Sequence, residues 1–194
     1  MEKTDGARAR QILEGVEALV VQRRSLALSF SEISEALNIS RSLIYVYYDS
    51  LEEVLDALFA EHLDRLEGAI LPMLDVDAPF RDRALAGLRS YFSYCVKNGP
   101  ILQLILREAR GDSPLGAGAR ARFRKRLRML AKETCEGLDV KPREAFVILE
   151  LMAAIPEALA RVVRDEQVDQ PTATATCDRL VLAAFDSLSV SKAG

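Results

Sequence analysis

Between residues 29 and 53 the chain gathers side chains suited to gripping and reading a nucleic acid. Arg41 carries a planar fork of donors that can pair bidentately with guanine. Ser42 can donate or accept at any base edge, and Leu43 can pack on a thymine methyl. The hydroxyls of Ser40, Tyr45 and Tyr47 suit phosphate oxygens, contacts that fix register without reading sequence, and Ser29 heads the same group. Other chemistry is thin. The one histidine, His62, excludes a multi-histidine metal site. There is no Ser/His/Asp or Cys/His set, no glycine-rich phosphate loop and no HExxH pattern, so neither an enzyme nor a cofactor or metal is expected.

Two short helices joined by a tight turn must position these groups. Ser29-Phe30-Ser31-Glu32 fits a capping box, whose two side chains satisfy orphan backbone N–H groups. Phe30, Ile33 and Leu37 then put one apolar stripe on a short helix. Asn38 tolerates the left-handed conformation that a helix-to-helix turn often needs. Ser40 is placed to cap a third helix over 41–47. Ile44 continues the stripe of Ile33 and Leu37, so it points inward and leaves Arg41, Ser42, Leu43 and Tyr45 facing out. Ser50 with Glu53 reads as a second capping box. This is the pattern of a helix-turn-helix, which lays its second helix in the DNA major groove.

The remainder reads as helix. Of 194 residues 28 are Leu and 26 are Ala, against 10 Gly and 7 Pro. Strong helix formers so outnumber breakers that an all-α chain is expected, with helices to a total of about nine. A first helix covers 7–22, with Ile12, Leu13, Val16, Leu19 and Val20 at spacings of three and four. A long fourth runs over about 51–71, with Leu55, Leu58, Phe59, His62 and Leu66 inward and with Pro72 and the stretch Asp75–Pro79 ending it. Further helices are predicted over 80–97, 101–110, 119–137, 142–164 and 175–189, the last after a polar connection at 165–176.

The run Ile33-Ser34-Glu35-Ala36-Leu37-Asn38-Ile39-Ser40-Arg41-Ser42-Leu43-Ile44-Tyr45-Val46-Tyr47-Tyr48-Asp49-Ser50 resembles the signature of the TetR/AcrR (tetracycline-repressor-like) family of transcriptional regulators. That signature is roughly I-A-x-x-A-G-V-S-x-G-T-L-Y-x-Y-F-x-S-K. The likeness extends over the N-terminal third by motif and over the rest by helix number and length. Ser34 stands for the usual Ala, Leu37-Asn38 for Ala-Gly, and Ser42-Leu43 for Gly-Thr. Tyr48 replaces a core Phe, so its hydroxyl needs a partner. Leu51 stands where the family usually has a Lys that contacts phosphate, a loss expected to flatten the salt dependence of DNA binding by about one unit of slope.

The resemblance implies a helix-turn-helix DNA-binding domain over 1–48 and a ligand-binding and dimerisation domain over 49–194. Its partners would be double-stranded operator DNA, a small-molecule effector and a second copy of the chain. A two-fold dimer would read a palindromic site with half-sites about 34 Å apart. Candidate pocket residues are His62, Tyr91, Phe92, Cys95, Leu102, Leu106, Phe123, Leu127 and Met152, whose apolar majority favours a lipophilic or aromatic effector. Plain core packing is the competing reading for each. The eighth helix is apolar nearly all round over 145–160 and so must be buried all round. With the ninth it implies a dimer face of Phe146, Leu149, Ala153, Pro156, Leu180, Ala183, Ala184 and Ser187.

Net charge is −3, and residues 1–48 carry six basic and six acidic side chains. Attraction for DNA must therefore come from local placement, with Arg8 and Arg10 as candidates. The basic run Arg120, Arg122, Arg124, Lys125, Arg126, Arg128 and Lys132 reads as solvated surface, an anionic ligand or an acidic surface being the alternatives. Cys95, Cys135 and Cys177 are scattered as in a reducing compartment. The polar N-terminus lacks a secretory apolar segment, and Glu150, Pro156 and Glu157 interrupt the longest apolar stretch. A cytoplasmic chain without a membrane span is expected. The alternative to a regulator is a small-molecule-binding helical protein or an adaptor without specific DNA binding.

Overall fold

The computed structural model describes the backbone over residues 2–108 and 117–190, and side chains over 6–104, 118 and 121–188. The described residues form nine α-helices and no strand: α1 (Glu2–Arg23), α2 (Phe30–Leu37), α3 (Arg41–Tyr47), α4 (Leu51–Leu74), α5 (Phe80–Asn98), α6 (Ile101–Glu108), α7 (Ala117–Leu138), α8 (Pro142–Arg164) and α9 (Gln170–Val190). The chain is all-α, as its composition dictates.

Two boundaries differ from the expectation for a physical reason. Pro72 does not end α4, which continues to Leu74 and stops where the Asp75–Pro79 stretch begins. Proline removes one backbone N–H and strains a helix against the carbonyl four residues back, here that of Gly68, and Pro72 falls in the last turn of α4, where only two residues follow it. The ninth helix starts at Gln170, inside the stretch expected as connection. Asp169 accepts hydrogen bonds from the Thr172 backbone N–H at 2.9 Å and the Thr172 hydroxyl at 2.7 Å, and Pro171 falls in the first turn, where no N–H is needed. At other ends the shifts are small, except that α1 begins at Glu2 rather than near residue 7, and residues 109–110 of the expected sixth helix lie outside the described residues.

The chain divides into two compact units: Met1–Asp64 with Pro100–Arg122, and Arg65–Gly99 with Phe123–Gly194. The first has a core of Ile12, Val16, Val20, Leu26, Ile33, Ile44, Leu55, Leu58, Phe59 and Leu63, with Ile101 and Leu102 of α6. Gly15 lets the end of α2 lie against α1, since a Cβ there would stand 2.0 Å from Leu37 Cδ2. His62 is fully buried, with Nε2 3.4 Å from Glu17 Oε1.

In the second unit α5 packs on α8 and α9. Leu138, Ile148, Cys177, Val181 and Phe185 make its core, and Phe80, Leu85, Leu88 and Met152 close over it. The Phe80 ring lies edge-on to Phe185 with centroids 6.1 Å apart and covers Gly137, where a Cβ would come within 2.1 Å of the ring. Arg89 grips Asp178 through Nε at 2.6 Å and Nη2 at 2.7 Å. No described helix is long and apolar enough to cross a membrane.

Candidate nucleic-acid interface

Backbone hydrogen bonding fixes α2, the turn and α3. The Ser29 hydroxyl accepts from the Glu32 N–H at 3.3 Å and donates to Glu32 Oε2 at 2.7 Å, while Oε2 accepts from the Ser29 N–H at 2.8 Å. Arg23 also pairs with Glu32, and that contact, followed by the Ser29 hydroxyl, holds the carboxyl below its usual range. At the far end Asn38 takes the left-handed conformation (φ 51°, ψ 46°). Its N–H donates to the Glu35 carbonyl at 3.2 Å, and the Ile39 N–H donates to the Ser34 carbonyl at 3.1 Å, a Schellman closure. The Ser34 hydroxyl donates to the Ile39 carbonyl at 2.6 Å, tying the turn from its other side. Ser40 then caps α3 through the Leu43 N–H at 3.2 Å. The box at Ser50 closes one residue earlier than the motif implies: Glu53 Oε2 accepts from the Asp49 N–H at 2.7 Å.

Ile33 and Ile44 are buried, and Arg41, Ser42 and Tyr45 are exposed. Tyr45 is 55% exposed, its ring held edge-on to Phe30 at 4.9 Å. Leu43 and Tyr47 are half-buried, so they present an edge rather than a whole side chain. The hydroxyls of Ser29 and Ser40 are engaged as caps, and Ser40 Oγ lies 2.9 Å from Ser42 Oγ. Sequence reasoning missed Val46, the most exposed apolar side chain of α3 at 69%, which follows Ser42 by one turn and could have been found from that spacing. The Tyr48 hydroxyl finds its partner in α1, donating to the Ala9 carbonyl at 3.4 Å. Burial chiefly, with the charges of Glu53 and Glu61, raises that phenol above its ordinary range. Arg8 bonds Gln11 and Arg10 pairs with Glu14 at 3.3 Å, whereas Arg24 and Arg41 stand exposed.

The candidate pocket residues divide between the units. His62 and Leu102 are buried in the first. In the second, Tyr91, Phe92 and Cys95 of α5 are buried, and Phe123, Leu127 and Met152 are half-buried. The side chain of Leu106 lies outside the described residues. Tyr91 donates to Glu157 Oε1 at 2.5 Å, and Arg164 Nη1 donates to the Cys95 carbonyl at 2.5 Å, so α8 grips α5 at two polar points. Burial lifts the Tyr91 phenol well above its usual value, with Cys95 and Glu157 adding to the rise. All three cysteines are free thiols, and burial pushes Cys177 up to about 11. No group of three His, Cys, Asp or Glu among the described residues could hold a metal ion.

On α8 and α9, Phe146, Leu180, Ala183 and Ser187 are exposed and Leu149, Ala153 and Ala184 half-buried. Pro156 is buried by its own chain and is no surface residue of the single chain. The exposed apolar row on α8 is Val147, Leu151, Ala154 and Ala158, turned about one residue from the row expected. The basic run of α7 is only partly solvated. Arg122 pairs with Asp64, Arg126 with Glu67 at 2.9 Å and Lys132 with Glu136 at 3.7 Å, while Arg124, Lys125 and Arg128 are exposed. The side chain of Arg120 lies outside the described residues. An open groove of about 420 Å³ on the other side of α5 from Phe92 and Cys95 is lined by residues absent from every candidate set, Arg65, Arg89 and Lys97 among them. Their signal in the sequence was the spacing Arg89, Ser93, Lys97.

This arrangement matches solved structures along nearly its whole length. A TetR-like transcriptional regulator from Rhodococcus sp. RHA1 superposes with a TM-score of 0.70 at 18% identity, over 92% of this chain and 96% of that one. A TetR-family regulator from Marinobacter aquaeolei VT8 gives 0.71 at 18% identity over 97% of each chain. AibR, crystallised with isovaleryl coenzyme A and operator DNA, gives 0.64 at 19% identity over 90% of this chain and 96% of that one. No protein-family model and no curated protein matches the chain. At these identities the likeness establishes the fold.

Proposed function

We propose that this chain, folded as the TetR-family regulators are, is a DNA-binding transcriptional regulator: a dimeric repressor of a palindromic operator, released by a small lipophilic or aromatic effector. One observation carries the reading. Two caps and a Schellman turn hold α3 so that Ile44 is buried while Arg41, Ser42, Tyr45 and Val46 face out together. Arg41 reads guanine, Ser42 and Val46 meet neighbouring base edges or methyl groups, and Tyr45, Tyr47 and the capping serines approach phosphates. Residues 1–48 supply this function, and 49–194 supply sensing and dimerisation.

A sensing role for the second unit is supported by the buried Tyr91, Phe92 and Cys95 of α5 and the half-buried Met152 of α8, largely apolar side chains suited to a lipophilic ligand. The neighbour bound to both isovaleryl coenzyme A and operator DNA supports the pairing of the two activities on this fold. Effector binding favours a conformer whose α3 helices no longer match the half-site spacing. The test is gel retardation of the DNA upstream of the chain's own gene. Wild type retards it specifically, and Arg41→Ala weakens retardation at least about tenfold, the worth of a bidentate base contact. Equal retardation by Arg41→Ala sinks the assignment of α3. A thermal-shift screen of hydrophobic small molecules should then find one that both stabilises the protein and releases DNA; stabilisation without release sinks the switch.

A further inference from the structure

We propose that the outer face of α7 is a docking surface for an acidic helix of a partner protein. Every exposed position from 124 to 132 is a cation: Arg124, Lys125, Arg128 and Lys132, all within the second unit. Arg126, on the flank of the same helix, is paired with Glu67 at 2.9 Å. Arg124, Lys125 and Arg128 have no hydrogen bond or ion pair among the described residues. Lys132 reaches only Glu136, at 3.7 Å, and both of those side chains are mostly in water. Steps of four place Arg124, Arg128 and Lys132 in one row, each step about 6 Å of helix, with Lys125 beside the first two. A solvent-facing helix gains from opposite charges four residues apart and loses from like ones. Here two successive steps join like charges, in a chain whose carboxylates outnumber its cations by 29 to 26. The helix retains a repulsion that an anionic partner would relieve on binding.

The chemistry of the face selects the partner. An exposed helix surface is convex and does not enclose a small ligand. No aromatic or large aliphatic side chain is exposed between 121 and 132, so bases have nothing to stack on and a lipid surface nothing to bury. A second helix with glutamates in steps of four offers carboxylates at the same intervals of about 6 Å, so the two rows pair in register over two turns or more. Arg124 and Arg128 can each take a carboxylate with two parallel hydrogen bonds, and the lysines add point charges. The proposal concerns a surface apart from α3 and does not rest on the regulator reading.

The test is fluorescence anisotropy of a labelled alanine-based helical peptide with glutamate at every fourth position, titrated with the full chain at low salt. The comparators are the same peptide with glutamine for glutamate, duplex DNA, and phosphatidylglycerol vesicles. The expected result is saturable binding of one acidic peptide per chain, at least about tenfold tighter than the glutamine peptide and weakened by added salt. Arg124→Gln combined with Arg128→Gln should weaken it about tenfold, the joint worth of two exposed ion pairs. Lys141→Gln, an exposed cation beyond the end of α7, should leave it unchanged. Arg128→Glu should abolish binding and raise the thermal midpoint of the free chain, since it sets opposite charges four residues from both Arg124 and Lys132. A lowered midpoint would assign Arg128 to the fold and overturn the proposal. Absence of saturable binding or equal weakening by Lys141→Gln would do the same. So would DNA or vesicles held in preference to the peptide and released by the Arg124 and Arg128 double substitution.

Discussion

The phenol of Tyr91 on α5 donates to the carboxylate of Glu157 on α8 across 2.5 Å, joining residues 66 positions apart in sequence. Burial holds the phenol protonated well past its ordinary pKa of 10. A group whose pKa is higher in the folded state contributes stability that is complete below the unfolded value and is lost as pH rises above it. Stability should therefore hold through neutral pH and fall from about pH 10 upward. Tyr91→Phe should lower stability at pH 7 by about 1 to 2 kcal/mol through the lost hydrogen bond, and should flatten the alkaline fall. Urea midpoints at pH 7, 9, 10 and 11 check both effects.

Gly15 and Leu37 occupy space that one more carbon would contest. In an open helix Gly→Ala gains about 1 kcal/mol. Here the new Cβ would stand 2.0 Å from Leu37 Cδ2 and 2.9 Å from its Cγ, so the whole side chain must move. Overpacking of this kind costs about 1 to 3 kcal/mol, and Gly15→Ala should be net destabilising in chemical denaturation. In the Leu37→Ala background the same change should become neutral or favourable, a coupling that a double-mutant cycle measures directly.

Leu51 is the first residue of α4, and on the proposed function a lysine there would add one phosphate contact. Leu51→Lys should tighten operator binding at low salt and steepen the slope of log K against log salt by about one unit. Retardation at 50, 100 and 200 mM salt reads the slope. An unchanged slope would place residue 51 away from the backbone of the DNA.

Leu151 and Leu180 are 58% and 48% exposed on the single chain, an unusual cost for leucines on neighbouring helices. If α8 and α9 form the dimer face, Leu151→Glu with Leu180→Glu should give monomers in sedimentation while helicity is retained. Pro156→Ala should act through stability alone, since its own chain already covers that ring.

Local signals in the sequence were enough for the N-terminal unit. The Ser29 box, the left-handed Asn38 and the Ser40 cap are each written in three or four adjacent residues, and Ile33 and Ile44 took the faces their spacing implied. What was illegible depended on neighbours far along the chain. Pro72 looks like a stop, yet α4 runs on for two residues to Leu74. On α8 nearly every position is apolar, so periodicity cannot choose a face. Packing chose it, burying Pro156 and leaving Val147 and Leu151 outside. The groove on α5 escaped notice because Arg65 and Lys97 are 32 positions apart and only the fold puts them together.

Asn38 reaches its left-handed conformation without being glycine, and Arg24, Asp139 and Glu166 do the same beyond the ends of α1, α7 and α8. The instruction to bend is thus carried by a torsion angle rather than by a particular letter, and several letters spell it. A lineage can exchange residues at these corners, at about 1 kcal/mol each, while the corners themselves stay put. Architecture of this kind tolerates wide change in the text that encodes it: two chains in which fewer than one residue in five agrees can share one fold.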